Sequence, residues 1–597
     1  MNIRSNARVT DSLGSYNDAW PRDEIAGLLA RVKRPGRYTG GEFNLRLKPG
    51  ASPRVVLSYP DVYEIGISNP ALQILYTYLN DATPAAAERA YCPWPDMAAE
   101  MRSGGVSLWT LETMSPVAEC DLWGFTLPHE LAFTNVLEML DLAGVPLHAA
   151  ERVDADPIVL GGGPAVANPW PVAAFFDAFF VGEVEHRLDA IVAALAAPTR
   201  GQRLAALADI PGMWVPGLST RLAERQVFMG FSTAPPVTRP VVPVLEAVHD
   251  RAVVEVMRGC SAGCRFCQAG MWYRPVRERS VDLVVETARK LLDETGCDEV
   301  SLLSLSSCDY SGIEAALKRI RGLRPGTRVS LPSLRIDGAA NNLARFAAEQ
   351  HGSVTLAPEA GTQRLRDAIN KGVDEEQFEE AVRATFTGGF TGLKLYFMIA
   401  LPDETDDDVV GIARMVETAL GLAKEIGRGR VRLSISVSSY IPKPHTPYEL
   451  EPFAGAEALR RRQQLLRTAM PRNVRVAFHD VDASLVEASL ARGGRGSDRL
   501  VEEAWRRGAR FDGWSEHFDF GAWQGAAAAL DVVLGKPVFL ADGRPDWATV
   551  VDARLAPSFF EDELARSRRG ELTADCRDAA CSACGVCAAG VTMEILA

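Results

Sequence analysis

No run of about 18 consecutive apolar residues occurs in the 597-residue chain, so no transmembrane helix is expected and no membrane partner. The segment from Pro171 to Gly182 comes nearest, but it is too short and carries Asp177. Met1 to Trp20 has no apolar core of the kind a secretory signal needs, so a cytoplasmic protein is expected. An excess of positive charge is also missing. The 64 Lys and Arg are outnumbered by 77 Asp and Glu, and a net charge of −13 does not favour non-specific nucleic-acid binding through a global field. A local basic patch, Arg460, Arg461, Arg462 and Arg467, has the look of a solvated helix face. The glycine-rich loop Gly493-Gly-Arg-Gly-Ser-Asp498 lacks the Lys-Ser pair of a phosphate-binding P-loop, which leaves Arg495 and Arg499 as the local candidates for an anion.

What the chain does have is cysteine in two tight groups. Eleven cysteines without an export signal point to a reducing compartment and to metal ligation rather than disulfides. Cys92, Cys120, Cys297 and Cys308 stand alone and are expected to be buried fillers. The central group, Arg258-Gly-Cys260-Ser-Ala-Gly-Cys264-Arg-Phe-Cys267-Gln-Ala-Gly270, places three thiols within eight residues. The apolar, β-branched stretch Ala252 to Met257 before it reads as a strand. Gly259 and Gly263 leave the backbone free to fold round a bulky guest. Zinc in a structural site wants four closed ligands, and no fourth lies nearby. Iron–sulfur cubes are held by Cys thiolates, usually four, so three leave one iron open to a substrate. The second group, Cys576, Cys581, Cys584 and Cys587, puts four cysteines in twelve residues. Its run resembles ferredoxin spacing more than a zinc ribbon, and both a second iron–sulfur cluster and a structural zinc remain open for it.

The fold class expected is α/β. Residues 1–50 read as an irregular arm. Residues 51–235 alternate strand and helix: strands at Val55–Tyr59, Asp121–Leu127, Pro157–Leu160 and Asp177–Val181 imply a doubly wound parallel sheet, with ligands outside its carboxyl edge. Residues 200 to 245, rich in proline, read as an extended connector. Residues 246–455 alternate again and give six strands, the count of a partial (β/α)6 barrel related to the TIM fold, whose sites lie at the strands' carboxyl ends. Ser306, Ser307, Asp309, Ser330, Arg335 and Glu359 fall at or near those ends. Residues 456–597 read as a small α+β region with the cysteine-rich tail.

The central cysteine loop, with Phe266 before its third cysteine, resembles the signature of the radical S-adenosylmethionine (radical SAM) superfamily. The resemblance implies a [4Fe–4S] cluster on Cys260, Cys264 and Cys267 whose open iron chelates S-adenosyl-L-methionine (SAM). One electron, from a flavodoxin- or ferredoxin-type reductant, then cleaves the sulfonium bond to a 5′-deoxyadenosyl radical. Ala357-Pro-Glu359-Ala-Gly361 resembles the superfamily's SAM-contacting Glu-Ser-Gly element, and Leu401-Pro-Asp-Glu-Thr405 its Pro-Gly-Glu-Thr turn. Tyr440-Ile-Pro-Lys-Pro-His445-Thr-Pro447 resembles the closing segment of methylthiotransferases and cobalamin-type enzymes. The first half resembles the cobalamin-binding domain that precedes many radical SAM cores, through Gly161-Gly162-Gly163-Pro164, Asn168-Pro169, Asp177 and Gly182-Glu183. It departs from the cobalt-ligating version, which has Asp-x-His-x-x-Gly, because Asp61-Val-Tyr63-Glu-Ile-Gly66 puts Tyr where His should be. Taken with Lys33-Arg-Pro-Gly-Arg-Tyr-Thr-Gly-Gly-Glu42, the whole resembles a family of cobalamin-domain radical SAM proteins. That implies methyl transfer if cobalamin is bound. The alternatives are a cobalamin-independent methylthiotransferase-like enzyme acting on RNA or protein, and a non-enzymatic RNA- or ribosome-associated metal protein.

Overall fold

The computed structural model describes residues 23–248, 250–330, 336, 353–427, 431–578, 581–587 and 590–596. The predicted helix 341–350, the end of the strand predicted at 328–334, Arg335 and the first 22 residues of the arm lie outside the described residues.

The first sheet is built from β1 (Arg54–Tyr59), β2 (Ala86–Tyr91), β3 (Leu122–Thr126), β4 (Ile158–Gly162) and β5 (Ala178–Phe180), all parallel in the order β2–β1–β3–β4–β5, with antiparallel β6 (Met213–Trp214) on the edge. The order reverses between β1 and β3, which opens a crevice at the carboxyl edge. Helix Pro70–Ala82 starts where the Asn69 side chain accepts the Leu72 N–H at 3.2 Å and proline fills its first position. Strand β2 was not foreseen, because Ala-Ala-Glu-Arg-Ala-Tyr has no β-branched residue and carries two charges. Those charges are buried in pairs: Glu88 meets Arg54 at 3.1 Å, and Arg89 meets Glu42 at 2.9 Å and Glu112 at 2.6 Å.

One face of this sheet packs Leu72, Tyr76 and Leu79 with Leu188, Ile191 and Val192. The other face is shared between Val136, Leu137 and Leu140 and three helices from far down the chain, Val481–Ala491, Asp498–Arg506 and Phe520–Ala529. Leu490, Val501, Trp505 and Trp523 enter the same core as Trp123 and Phe125. The predicted extended connector instead opens with helix Arg200–Ala208, set by a Thr199–Gln202 capping box, then β6 and the short strand β7 (Ala223–Glu224).

The second half holds β8 (Ala252–Glu255), which leads through β9 (Met257–Arg258) into the cysteine loop, with β10 (Arg277–Glu278) antiparallel to β9. Next, β11 (Glu299–Leu303) lies between β8 and β12 (Arg328–Ser330), all parallel. A second parallel sheet runs β13 (Ser353–Glu359), β14 (Gly392–Ile399), β15 (Arg432–Ser439), β16 (Arg475–Phe478). Strand β16, expected inside the C-terminal region, is thus a seventh parallel strand of the core. Helix Glu375–Thr387 was also missed, although Asp374 and Gln377 form its capping box. Late in the chain β17 (Val551–Asp552) pairs with β7.

Alternation within the second sheet separates two faces. Val354, Leu356, Leu393, Leu395, Phe397, Ile399, Leu433, Ile435 and Val437 join one core with the helices. Thr355, Ala357, Glu359, Lys394, Tyr396, Met398, Ser434, Ser436 and Ser438 are the alternate set; none of them is buried, and apart from Ala357 and Met398 the opposite face is polar. A packed TIM-type interior is filled by branched apolar side chains; this one is suited to a polar guest. No helix among the described residues is long and apolar enough to cross a membrane.

Candidate active site

The cysteine loop leaves β9 at Gly259, whose φ is +82°. A Cβ there would lie 2.3 Å from the Pro275 carbonyl oxygen, so only glycine can make this turn. Gly263 has φ +73°, and Asn370 clamps the turn by donating from Nδ2 to the carbonyls of Ala262 (3.0 Å) and Gly263 (3.1 Å). Arg265 is fully buried: its backbone N–H donates to Ile369 O, and its guanidinium to Glu563 at 2.9 Å, Ala368 O at 2.7 Å and Glu571 O at 2.8 Å. Phe266 packs against Ala360, Leu365 and Tyr440 of the barrel. The sequence around the thiols therefore fixes the loop by bonds that do not use them.

Cys260, Cys264 and Cys267 are all partly buried. Among the described residues no three His, Cys, Asp or Glu side chains are already gathered as a metal site. The chemistry of the donors nonetheless fits a cluster. The Cys267 thiol is pushed up to about 12 by burial and then by its neighbours Cys264 and Cys260, while the Gly270 N–H, 3.3 Å from Sγ, opposes the rise. A cationic centre bound there would reverse that rise and favour the Cys267 thiolate.

Of the cofactor-binding candidates at the strand ends, Ser306 is buried after the carboxyl end of β11 and its Oγ has no hydrogen-bond partner among the described residues. A buried hydroxyl left unpaired by the protein marks a place for a ligand's polar atom. Glu359 ends β13 at φ +69°, on the polar inner side, and receives Lys371 Nζ at 3.1 Å. Ser330 is the last residue of β12 as described, opposite Ser301, and Arg251, just before β8, approaches its Oγ at 3.5 Å. Glu404, in the turn after β14, accepts the Ala400 N–H at 2.6 Å and Arg462 at 2.6 Å, and burial pushes its carboxyl up to about 7. His445 is buried and orders its loop, its Nε2 on Ala167 O at 2.9 Å, with burial lowering it to about 4. Its backbone N–H is held by Glu449 at 2.7 Å, which also accepts Trp547 Nε1 at 3.2 Å; burial pushes Glu449 up to about 7.

Gly161, Gly162 and Gly163 line a cavity of about 470 Å³, within the usual range of small-molecule sites. It extends from the apolar face of the first sheet, between helices Pro70–Ala82 and Leu188–Ala194, to Met257, Arg258 and Gly259 of the loop root and Leu303–Leu305 after β11. Gly161, within β4, lies so close to the next strand that a Cβ would stand 2.8 Å from the Phe179 ring, while Gly163 makes the turn at φ +94°, where a Cβ would stand 2.8 Å from Leu127 O. Gly162 and Gly124 would meet nothing closer than 3.9 and 3.5 Å, so their missing side chains keep the cavity open. At its polar end Glu183 accepts Arg277 at 2.6 Å, and Arg258 meets Glu185 at 2.5 Å and Glu255 at 2.9 Å. Burial works against ionised Glu183, but Arg277 and Arg258 hold its carboxyl below the usual value.

Tyr63 does not line this cavity. It is buried edge-on against Tyr91 at 5.5 Å, and its hydroxyl donates to Glu42 at 3.2 Å. The Lys33–Glu42 motif is joined to the Asp61–Gly66 segment by Arg37, which pairs with Glu64 at 2.9 Å, and by the Tyr63–Glu42 hydrogen bond. The Glu183–Arg258–Glu255 cluster and the polar inner face of β13–β15 were missed. The alternation in Leu-Lys-Leu-Tyr-Phe-Met and Leu-Ser-Ile-Ser-Val-Ser was the available signal. In the Gly493–Arg499 loop, Arg495 stacks on Trp170 at 4.7 Å.

Two family models match the chain: "Radical SAM proteins, N-terminal" over residues 71–216 and "Radical SAM superfamily" over residues 254–416. Uncharacterized protein MJ0966 of Methanocaldococcus jannaschii is 26% identical over 453 residues, 75% of this chain and 90% of that protein. The tRNA-2-methylthio-N(6)-dimethylallyladenosine synthase of Chlorobium phaeobacteroides is 26% identical over 140 residues, 22% of this chain and 31% of that enzyme. The radical S-adenosylmethionine methyltransferase TsrM from Kitasatospora setae, solved with cobalamin and a [4Fe–4S] cluster bound, shares the fold at TM-score 0.53 and 14% identity, covering 80% of this chain and all of TsrM.

Proposed function

Because the chain belongs to the radical SAM superfamily, we propose that it is a cobalamin-dependent radical SAM methyltransferase acting on an unactivated carbon. Cys260, Cys264 and Cys267 hold the [4Fe–4S] cluster, and Ser306 and Glu359 hold SAM. Glu359 takes the ammonium or a ribose hydroxyl by charge-assisted hydrogen bonds. Bound there, the cluster supplies one electron to the sulfonium of SAM, and the corrin carries the methyl group. The chain's own part is positioning. Asn370 and Arg265 hold the loop rigid, Lys371 orients the Glu359 carboxylate, and the apolar wall of the cavity excludes water.

The carrying observation is that one cavity touches both the Gly161–Gly163 turn and Gly259 at the root of the cysteine loop. A corrin tail lying on the glycines would reach the place where SAM is cleaved. With Tyr63 buried against Tyr91 and Glu42, the Asp61–Gly66 segment would offer the corrin no histidine, and Gly161–Gly163 with the apolar wall of the cavity would hold it. The test is anaerobic reconstitution with iron, sulfide, cobalamin and SAM, followed by a low-potential reductant of the flavodoxin or ferredoxin type. The expected result is corrin absorbance at one per chain and SAM cleavage that Cys264→Ala abolishes. SAM cleavage surviving in that variant would sink the reading. Cleavage without retained corrin would favour the methylthiotransferase-like alternative, which the partial likeness to the Chlorobium enzyme supports.

A further inference from the structure

The C-terminal cysteines are docked against the central loop by side chains that serve both. Asn370, whose Nδ2 clamps Ala262 and Gly263, accepts the Thr573 N–H through Oδ1 at 2.8 Å. Arg265, between Cys264 and Phe266, donates to Glu571 O at 2.8 Å. Ser261 Oγ, next to Cys260, donates to Asp575 at 2.9 Å, next to Cys576. After the quartet the chain is tied down again: Glu594 N–H donates to Val276 O at 2.9 Å and Glu278 N–H to Glu594 O at 2.8 Å. Cys584 is buried with Met271, on the short helix that Cys267 caps, while Cys581 and Cys587 are exposed. Between the two groups lies buried Arg274, whose Nη2 is 3.3 Å from where a Gly263 Cβ would stand and whose charge reaches Cys576 and Cys587.

We propose that Cys576, Cys581, Cys584 and Cys587 hold a second, redox-active iron–sulfur cluster that is the electron entry port for the cluster on Cys260, Cys264 and Cys267. The tail is already held at both ends by hydrogen bonds, so a zinc staple there would be redundant. A port, by contrast, needs one side open to the donor and one turned inward; with Cys581 and Cys587 exposed and Cys584 buried beside Met271, a centre drawn together by the four would have both. A one-electron carrier protein of the flavodoxin or ferredoxin class is oxidised by one electron at the Cys581–Cys587 edge. The same electron passes inward beside Arg274, and the tail centre returns to its oxidised state. No bond is made or broken there and no proton is taken up. This rests on the radical SAM reading above for the acceptor, but not for the metal.

The experiment uses the full chain reconstituted anaerobically. The Cys260→Ala/Cys264→Ala/Cys267→Ala variant is expected to keep about four irons and four sulfides and a reducible electron paramagnetic resonance signal. Zinc, or no metal, in that variant overturns the proposal whether or not the native protein cleaves SAM. The Cys581→Ser/Cys587→Ser variant is expected to lose SAM cleavage by at least about tenfold with a flavodoxin–reductase couple, while staying within about twofold of the native protein with titanium(III) citrate. Equal rates with both donors, or equal loss with both, overturns the port. Failure of the native protein to cleave SAM with either donor would instead refute the acceptor's assignment, leaving the metal and resonance measurements on the triple variant to judge the tail.

Discussion

Replacing Gly124 by leucine places an isobutyl group in the floor of the cavity without a backbone conflict. The position is in mid-strand, its Cβ would meet Leu57 Cδ2 at 3.5 Å and Val56 O at 3.8 Å, and the space beyond amounts to about 470 Å³. Burying a leucine side chain is worth about 1.5–3 kcal/mol, and removing a glycine from a strand adds about 0.5–1 kcal/mol. Overpacking, which costs about 1–3 kcal/mol in a full core, has little to act on in an open site. The ligand-free variant is therefore expected to be more stable than the native protein by about 1–3 kcal/mol, read by denaturant unfolding of the full chain. The same atoms occupy the place proposed for the corrin tail, so corrin affinity, measured by absorbance titration, is expected to fall by at least about tenfold, or 1.4 kcal/mol. Gly124→Ala, which adds a single methyl group in ordinary contact, is expected to keep most of the binding. A leucine variant that is stabilised yet binds corrin as tightly as the native protein would refute the cavity as the cofactor site.

Ser306→Ala removes a buried hydroxyl that the protein leaves unpaired, so unfolding free energy is expected to change by less than about 0.5 kcal/mol while the SAM dissociation constant rises about five- to tenfold; an unchanged constant would remove Ser306 from the site. Tyr63→His loses the Tyr91 edge contact and the Glu42 hydrogen bond and is expected to cost about 2–3 kcal/mol with no change in the corrin spectrum; a spectrum showing nitrogen ligation to cobalt would mean that this segment reaches the cofactor after all. Glu449 is raised from 4.5 to about 7, so the native state binds its proton more tightly than the unfolded chain and loses stability as pH climbs through that window. Glu449→Gln is expected to match the native protein below that window and to exceed it by about 2–3 kcal/mol above it. Charging of His445 below pH 6.5 destabilises both proteins alike and cancels in the comparison; a pH-independent difference would refute the assignment.

The strands most legible in the sequence were those with apolar runs, β1, β3 and β4, which burial on both faces of a parallel sheet demands, and those with strict alternation, β14 and β15. Strand β2 was hidden because its stability comes from Glu88 and Arg89 being paired across to Arg54, Glu42 and Glu112, partners that sequence spacing does not reveal. The cysteine loop could be read in full, since glycine and thiol chemistry are local. The clamp that orders it could not: Asn370 and Glu571 lie 107 and 306 residues from their partners Gly263 and Arg265.

The chain's ends also decide what can fold alone. Trp123 and Phe125 on β3 are covered by the hairpin-distant helices that carry Leu490, Val501, Trp505 and Trp523. Specific bonds fix that cover, with Asp512 accepting Thr134 Oγ1 at 2.6 Å and Trp523 Nε1 at 2.9 Å, and Asn135 Oδ1 accepting the Phe511 N–H at 2.8 Å. Burial outweighs the two donors at Asp512 and raises its carboxyl to about 6, so the joint is a desolvated one. A fragment stopped near residue 480 would expose the aromatic face of the first sheet and leave Thr134 and Asn135 without those partners. The sheet that lines the cavity is thus finished only when the last quarter of the chain arrives. That same stretch carries the quartet to the cysteine loop, so one folding event covers the far face of the first sheet and seats the proposed electron port.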